Sequence, residues 1–142
     1  MSLTAEERQI MVSLEYEKAL RFLNQARKNA EIEEWDVVAN RLYYALFHAV
    51  SALLIHDGHK VGTHKGAVMV FGQHYVRTGI FSPQEGRFYS QLQTMREKAD
   101  YNSNWQTTED IILPVIEPVG LFIEKIRDRI KDLLKENSEM SV

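Results

Sequence analysis

Helix breakers are scarce in this chain, and their positions divide it. Three prolines and seven glycines occur among 142 residues, and none falls between Thr4 and about Glu31. Along that stretch Leu14, Tyr16, Ala19, Leu20, Phe22, Leu23, Ala26 and Ala30 recur mostly at steps of three and four. A strand would alternate with a period of two, so the spacing predicts a long amphipathic helix. Thr4 followed by Glu7 has the spacing of a capping box and places the helix start. At 1.5 Å per residue the element is about 40 Å long. Ile32–Trp35 reads as a break before the next helix.

The second helix, predicted from roughly Glu34 to Asp57, is apolar on almost every side through Val37, Val38, Ala39, Leu42, Tyr43, Ala45, Leu46, Phe47, Ala49, Val50 and Ala52 to Ile55. Such a helix belongs at the centre of a fold. Gly58 ends it, and HDGHKVG is loop. Thr63 then caps a shorter helix reaching His74 or Arg77, interrupted by Gly66 and Gly72. Glycine costs about 1 kcal/mol against alanine inside a helix, so this segment either packs closely or moves. Ser82-Pro83-Gln84-Glu85 joins a serine cap, a proline at the first helical position and an acid at the third. The helix it opens runs to about Tyr101. NSNWQTTED is a loop leading to a cap at Thr107 or Thr108, and a last helix runs to about Glu136. Pro114 and Pro118 lie in its first turns as candidate kinks. The chain reads as all-α, with four longer helices and a short one, in one domain over residues 1–142. Its core spans about 4–136 and its C-terminal tail is expected to be frayed.

Composition excludes several classes of function. There is no cysteine, which removes disulfides, thiol catalysis, iron–sulfur clusters and thiolate zinc sites. Seventeen basic and 20 acidic side chains leave a formal charge of -3. Neither a general nucleic-acid coat nor an acidic tail follows, and a local basic patch stays open. Hydrophobic residues at 44 % and charged residues at 26 % suit a folded chain rather than a disordered one. No apolar run approaches the roughly 18 residues of a membrane span. MSLTAEERQIM turns acidic within a few residues and lacks the apolar centre of a secretory signal. The expectation is a cytoplasmic protein without membrane contact.

The polar residues concentrate in a few places. Asp36, Asn40, Tyr44 and His48 stand at four-residue steps on the second helix and share one face, with Arg41 beside them. They form either a groove in which His48 carries a proton near neutrality or a network that locks the helix to a neighbour. Arg96, Lys98, Asp100 and Tyr101 close the fourth helix. Arg96 and Asp100 are spaced for an intrahelical ion pair, and the guanidinium alternatively suits a phosphate, with Tyr101 as a hydrogen-bonding partner. Gly62-Thr63-His64-Lys65-Gly66 lacks the spacing of a nucleotide-binding loop and follows no strand. His56, His59, His64 and His74 make no metal motif, so neither metal nor cofactor is expected.

Asn40-Arg41-Leu42-Tyr43-Tyr44-Ala45-Leu46-Phe47-His48-Ala49 resembles the second-helix signature of the HEPN family. Thr63-His64-Lys65-Gly66, the stretch from Phe71-Gly72 to Val76-Arg77-Thr78-Gly79, and Arg96-Glu97-Lys98-Ala99-Asp100-Tyr101 resemble its small prokaryotic branch, formerly grouped as a UPF family. The match runs from about Tyr16 to Leu133. It implies an up-and-down helical bundle, usually homodimeric, often encoded beside a minimal nucleotidyltransferase in toxin–antitoxin or defence pairs. Several branches are metal-independent ribonucleases carrying an arginine and, four to six residues later, a histidine. Here Arg96 takes the arginine position, while Asp100 or Tyr101 stands where the histidine is expected.

The resemblance thus implies a dimeric module that acts with a nucleotidyltransferase partner and catalyses inefficiently by itself. One alternative is a metal-independent ribonuclease using Arg96 with His48 or Tyr101 and sparing DNA; Asp100 is the remaining candidate in that segment. Arg77, Arg87, Arg96 and Lys98, gathered on one face of a dimer, would supply an RNA-binding surface, with His64 and Lys65 as further phosphate contacts. A second alternative is a nucleotide-binding or purely structural bundle.

Overall fold

The computed structural model describes residues 3–60 and 62–134. Helix α1 spans Ala5–Glu31 and opens with the expected capping box. The Glu7 amide donates to Thr4 Oγ1 at 3.0 Å and the Thr4 amide donates to Glu7 Oε1 at 2.9 Å. A three-residue corner follows, in which Glu33 takes a left-handed φ of 61°. So short a connection returns helix α2, Trp35–His56, antiparallel along α1.

Helix α2 is the centre of the bundle. It packs on α1, on helix α4 (Pro83–Tyr101) and on helix α6 (Ile116–Ile130), with helix α3 (His64–Phe71) also against it. Val38, Leu42, Ala45, Leu46, Ala49, Val50 and Leu53 are completely buried. By length and composition α2 is apolar enough to cross a membrane, although polar residues interrupt its apolar run. Most of its surface is instead buried inside the bundle.

Thr63 caps α3 by accepting from the Gly66 amide at 2.9 Å. At Gly72 the α-helix gives way to a π turn, Gly72–Val76, closed by the Arg77 amide donating to the Gly72 carbonyl at 2.9 Å. The wider turn carries Tyr75 inward beside Phe71 and Phe81, and Phe122 of α6 completes the aromatic wall. Ser82 and Glu85 form the second capping box, at the start of α4. Glu85 also takes a salt bridge from Lys125 of α6, at 2.8 Å.

The last predicted helix is divided. Thr108 precedes a single turn, α5 (Glu109–Ile112), then a 3-10 turn, Leu113–Val115, and only then α6. Pro114 accounts for the division, because it cannot donate the amide an α-helix needs there. Pro118 lies in the first turn of α6, where an amide has no intrahelical acceptor anyway. The α-helix stops at Ile130 and a 3-10 turn, Lys131–Leu133, follows. The expected end near Glu136 and the frayed tail lie outside the described residues.

That final turn is fastened to α2 by His56. Its Nδ1 lies 2.6 Å from Asp57 Oδ1 and its Nε2 lies 2.7 Å from Asp132 Oδ1. A neutral imidazole has one N–H, so only the imidazolium satisfies both carboxylates. Burial opposes the charge, but the hydrogen bonds to Asp57 and Asp132 outweigh it and raise His56 above its ordinary 6.5. Burial likewise opposes the Asp57 carboxylate, yet the Tyr75 hydroxyl, donating at 2.6 Å, and His56 hold it below the usual range.

A raised histidine favours the folded chain fully below its unfolded value, and the contribution is lost as pH rises through the folded value. The lowered carboxylate contributes above its unfolded value near 3.8 and is lost as pH falls through the folded one. The bridge is therefore strongest between about pH 4 and 6.5. His56→Gln should lower the melting temperature by about 2–4 °C at pH 5.5, on the order of one hydrogen bond. The difference should shrink at pH 8.5, and thermal melts followed by circular dichroism at both pH values check it.

Candidate functional site

The stripe Asp36, Asn40, Tyr44 and His48 runs along α2, and each member meets a different part of the bundle. Asp36 Oδ1 accepts from the Thr107 amide at 2.9 Å, which ties the loop before α5 to the start of α2. Asn40 Nδ2 donates to both oxygens of Asp100, at 3.0 and 3.3 Å, and its carbonyl accepts from Arg41 at 2.9 Å. The Arg41 guanidinium in turn covers the Phe22 ring of α1 at 4.9 Å. His48 presents Nδ1 to Glu15 Oε2 of α1 at 2.6 Å. Glu15 was not a sequence candidate. It became visible only when the short corner laid α1 along α2.

Arg96 lies on the inner face of α4 and is 5 % exposed. Its guanidinium carbon stands 4.7 Å from the Tyr43 ring centroid, 5.4 Å from that of Tyr44 and 5.8 Å from that of Tyr101. Its Nη1 is 3.8 Å from Asp100 Oδ2, so the ion pair is long and the carboxylate is shared with Asn40. The buried Nε has no hydrogen-bond partner among the described residues. Tyr101, the most distant of the three rings, is 76 % exposed.

His64, at the start of α3, turns inward from the loop. Its Nδ1 is 2.8 Å from the Tyr43 hydroxyl. Burial pushes the Tyr43 phenol up to about 12, against the opposing pull of Arg96, so the hydroxyl keeps its proton. Burial first, then the charges of Arg96 and His48, lower His64 below its ordinary value, with Glu97 pulling weakly the other way. The imidazole is therefore neutral at neutral pH.

Tyr44 and Phe47 join these groups into one site. The Tyr44 ring lies 6.4 Å from His48, 5.6 Å from His64 and 5.4 Å from the Arg96 cation. Phe47 touches both imidazoles, with centroids at 5.2 Å for His48 and 4.5 Å for His64. From sequence Tyr43 and Phe47 are apolar positions of α2 and part of its signature stretch, not candidate site residues. Tyr43 is buried core on one side and a polar contact at its hydroxyl.

The other cations are not part of this cluster. Arg87 precedes Arg96 by nine residues on α4, half a turn round the helix, and Lys98 lies on that outer side as well. Lys98 covers the Trp105 ring at 4.9 Å. Arg87 borders a different groove with Val76 and Gly86. Arg77 follows the π turn, and Lys65 is exposed beside His64. Within one chain the proposed basic surface is therefore split between two sides of α4.

The cluster thus sets one cation and two imidazoles against a shared aromatic wall. The family model described as “HEPN domain” matches residues 12–131. A “UPF0332 protein” of Thermotoga maritima is 31 % identical over 116 residues, covering 82 % of this chain and 88 % of that protein. A Methanocaldococcus jannaschii protein named “Putative toxin” is 32 % identical over 99 residues, covering 70 % of this chain and 72 % of its own. A “UPF0332 protein” of Archaeoglobus fulgidus is 24 % identical over 119 residues, covering 84 % and 94 % of the two chains. The chain belongs to the HEPN domain family, and its fold is the all-helical one expected of it.

Proposed function

We propose that this HEPN chain is a toxin-like module whose site acts on the phosphodiester backbone of RNA without a metal ion. The observation that carries the reading is the convergence of Arg96, His48 and His64 on the Tyr44 ring. A guanidinium balances phosphate charge, and imidazoles move protons to and from oxygen near neutral pH. RNA, unlike DNA, brings its own nucleophile in the 2′-hydroxyl. The toxin name of two relatives supports the same direction. The test is cleavage of labelled RNA and of matched DNA by the purified chain in EDTA. RNA alone should be cut.

Arg96 is 5 % exposed and is faced by the rings of Tyr43, Tyr44 and Tyr101, so little of its guanidinium is open to a phosphate. This favours weak activity in the isolated chain and control by a partner, for which the family resemblance suggests a minimal nucleotidyltransferase. Co-expression of the two proteins, with growth as the readout, tests that pairing. If the chain cuts no RNA under any condition, a purely partner-binding role is the reading that the buried Arg96 supports.

Self-association completes the proposal. Ile10, Met11 and Leu14 expose apolar surface along α1, and Leu14 alone is 59 % exposed. A symmetric dimer would cover such a face. Light scattering at high micromolar concentration should return about twice the chain mass, and a monomer mass would remove the dimer.

A further inference from the structure

We infer that His48 and His64 act together as the acid–base pair of this site, with Glu15 and Tyr43 as their positioning residues. The inference rests on the RNA-directed reading and supplies the proton chemistry that the Arg96-to-Tyr101 segment lacks. Within that segment Asp100 is already engaged by Asn40 and Arg96. Tyr101 is 76 % exposed and makes no hydrogen bond among the described residues that would hold it as a base. The missing histidine is replaced from other helices.

Each imidazole is held by one nitrogen and free at the other. Glu15 of α1 takes the Nδ1 proton of His48, and the Tyr43 hydroxyl holds Nδ1 of His64. Nε2 of both rings has no hydrogen-bond partner among the described residues. Both rings rest on Phe47 and Tyr44, which sets them on the same side of the bundle as Arg96. A carboxylate behind one imidazole and a phenol behind the other is an unequal arrangement. His64, facing Arg96, Glu97, His48 and the two tyrosines, is the imidazole whose surroundings favour the neutral form. The different partners, Glu15 for His48 and Tyr43 for His64, give two like groups unequal settings and so suit them to different roles.

The step balances without a co-reactant. Nε2 of neutral His64 takes the proton of the ribose 2′-hydroxyl as that oxygen attacks the adjacent phosphorus. The bond from phosphorus to the 5′-oxygen breaks, and His48 gives its Nε2 proton to the leaving oxygen. The products are a 2′,3′-cyclic phosphate and a free 5′-hydroxyl, with Arg96 opposite the charge on the phosphoryl oxygens. The chain ends with its two protonation states exchanged, and solvent resets them.

Single-turnover cleavage of labelled RNA in EDTA, followed from pH 5 to 9, tests the pair. The chains compared are wild type, His48→Ala, His64→Ala, His64→Gln and Glu15→Gln, each checked by circular dichroism for folding. Each histidine variant should lose at least about 100-fold, and the double variant little more than either alone, because the groups act as a unit. His64→Ala and His64→Gln should remove the acidic limb of the rate profile and His48→Ala the alkaline limb, which a merely structural role would not do. Glu15→Gln should weaken the rate less than His48→Ala does, because the amide can still accept from Nδ1 of His48 and hold the ring. A wild type that cuts RNA while both His64 variants cut equally well overturns the pair and leaves the ribonuclease reading standing. A wild type that cuts no RNA overturns both.

Discussion

An Arg96→Met chain should keep its helical content and lose RNA cleavage by about 100-fold or more, the loss seen when a donor to developing charge is removed. Methionine preserves the apolar stem that packs under Tyr43 and Tyr44, and removes only the guanidinium. The stability change should stay small, about 1–2 kcal/mol. Asp100 retains Asn40, and the buried Nε that goes had no partner among the described residues. Urea unfolding and initial cleavage rates, measured on the same preparation, separate the two effects. A rate unchanged from wild type would take Arg96 out of the chemistry altogether.

The largest effect on stability is expected inside α2. Leu46→Ala removes a completely buried side chain from the helix that every long element packs against, and should cost about 3 kcal/mol. That is a sizeable part of the 5–15 kcal/mol that holds a typical domain together. Leu14→Ala, on the exposed side of α1, is the control and should lie within about 0.5 kcal/mol of wild type as a monomer. Chemical denaturation midpoints at equal slope give both values. Equal costs at the two positions would contradict the placement of α2 at the centre.

Local signals were legible in the sequence and long-range ones were not. Thr4 with Glu7 and Ser82 with Glu85 mark their helix starts because each cap closes over three residues, and the structure forms both boxes. The course of α2 follows from its apolar surround. Pro114 reads as a kink from sequence, whereas in the structure it lies in the 3-10 turn that separates α5 from α6.

Shared periodicity put Asp36, Asn40, Tyr44 and His48 on one face, but their partners come from Thr107, Asp100 and Glu15, brought in by packing alone. No spacing rule links Glu15 to His48. From sequence His64 reads as a surface or loop histidine and a further phosphate contact, and only the packing of α3 sets it against Tyr43 and Phe47. Arg87 and Lys98 were grouped with Arg96 by charge, whereas helix geometry places them on the other side of α4.

The central claim is that this site cuts RNA by using the substrate's own 2′-hydroxyl. The most direct measurement maps one cleaved position in a short RNA in EDTA and then repeats the digestion with a single 2′-deoxynucleotide placed there. Cleavage at that position should disappear, other positions should still be cut, and the original 5′ fragment should end in a 2′,3′-cyclic phosphate. Undiminished cleavage at the deoxy position would contradict the claim.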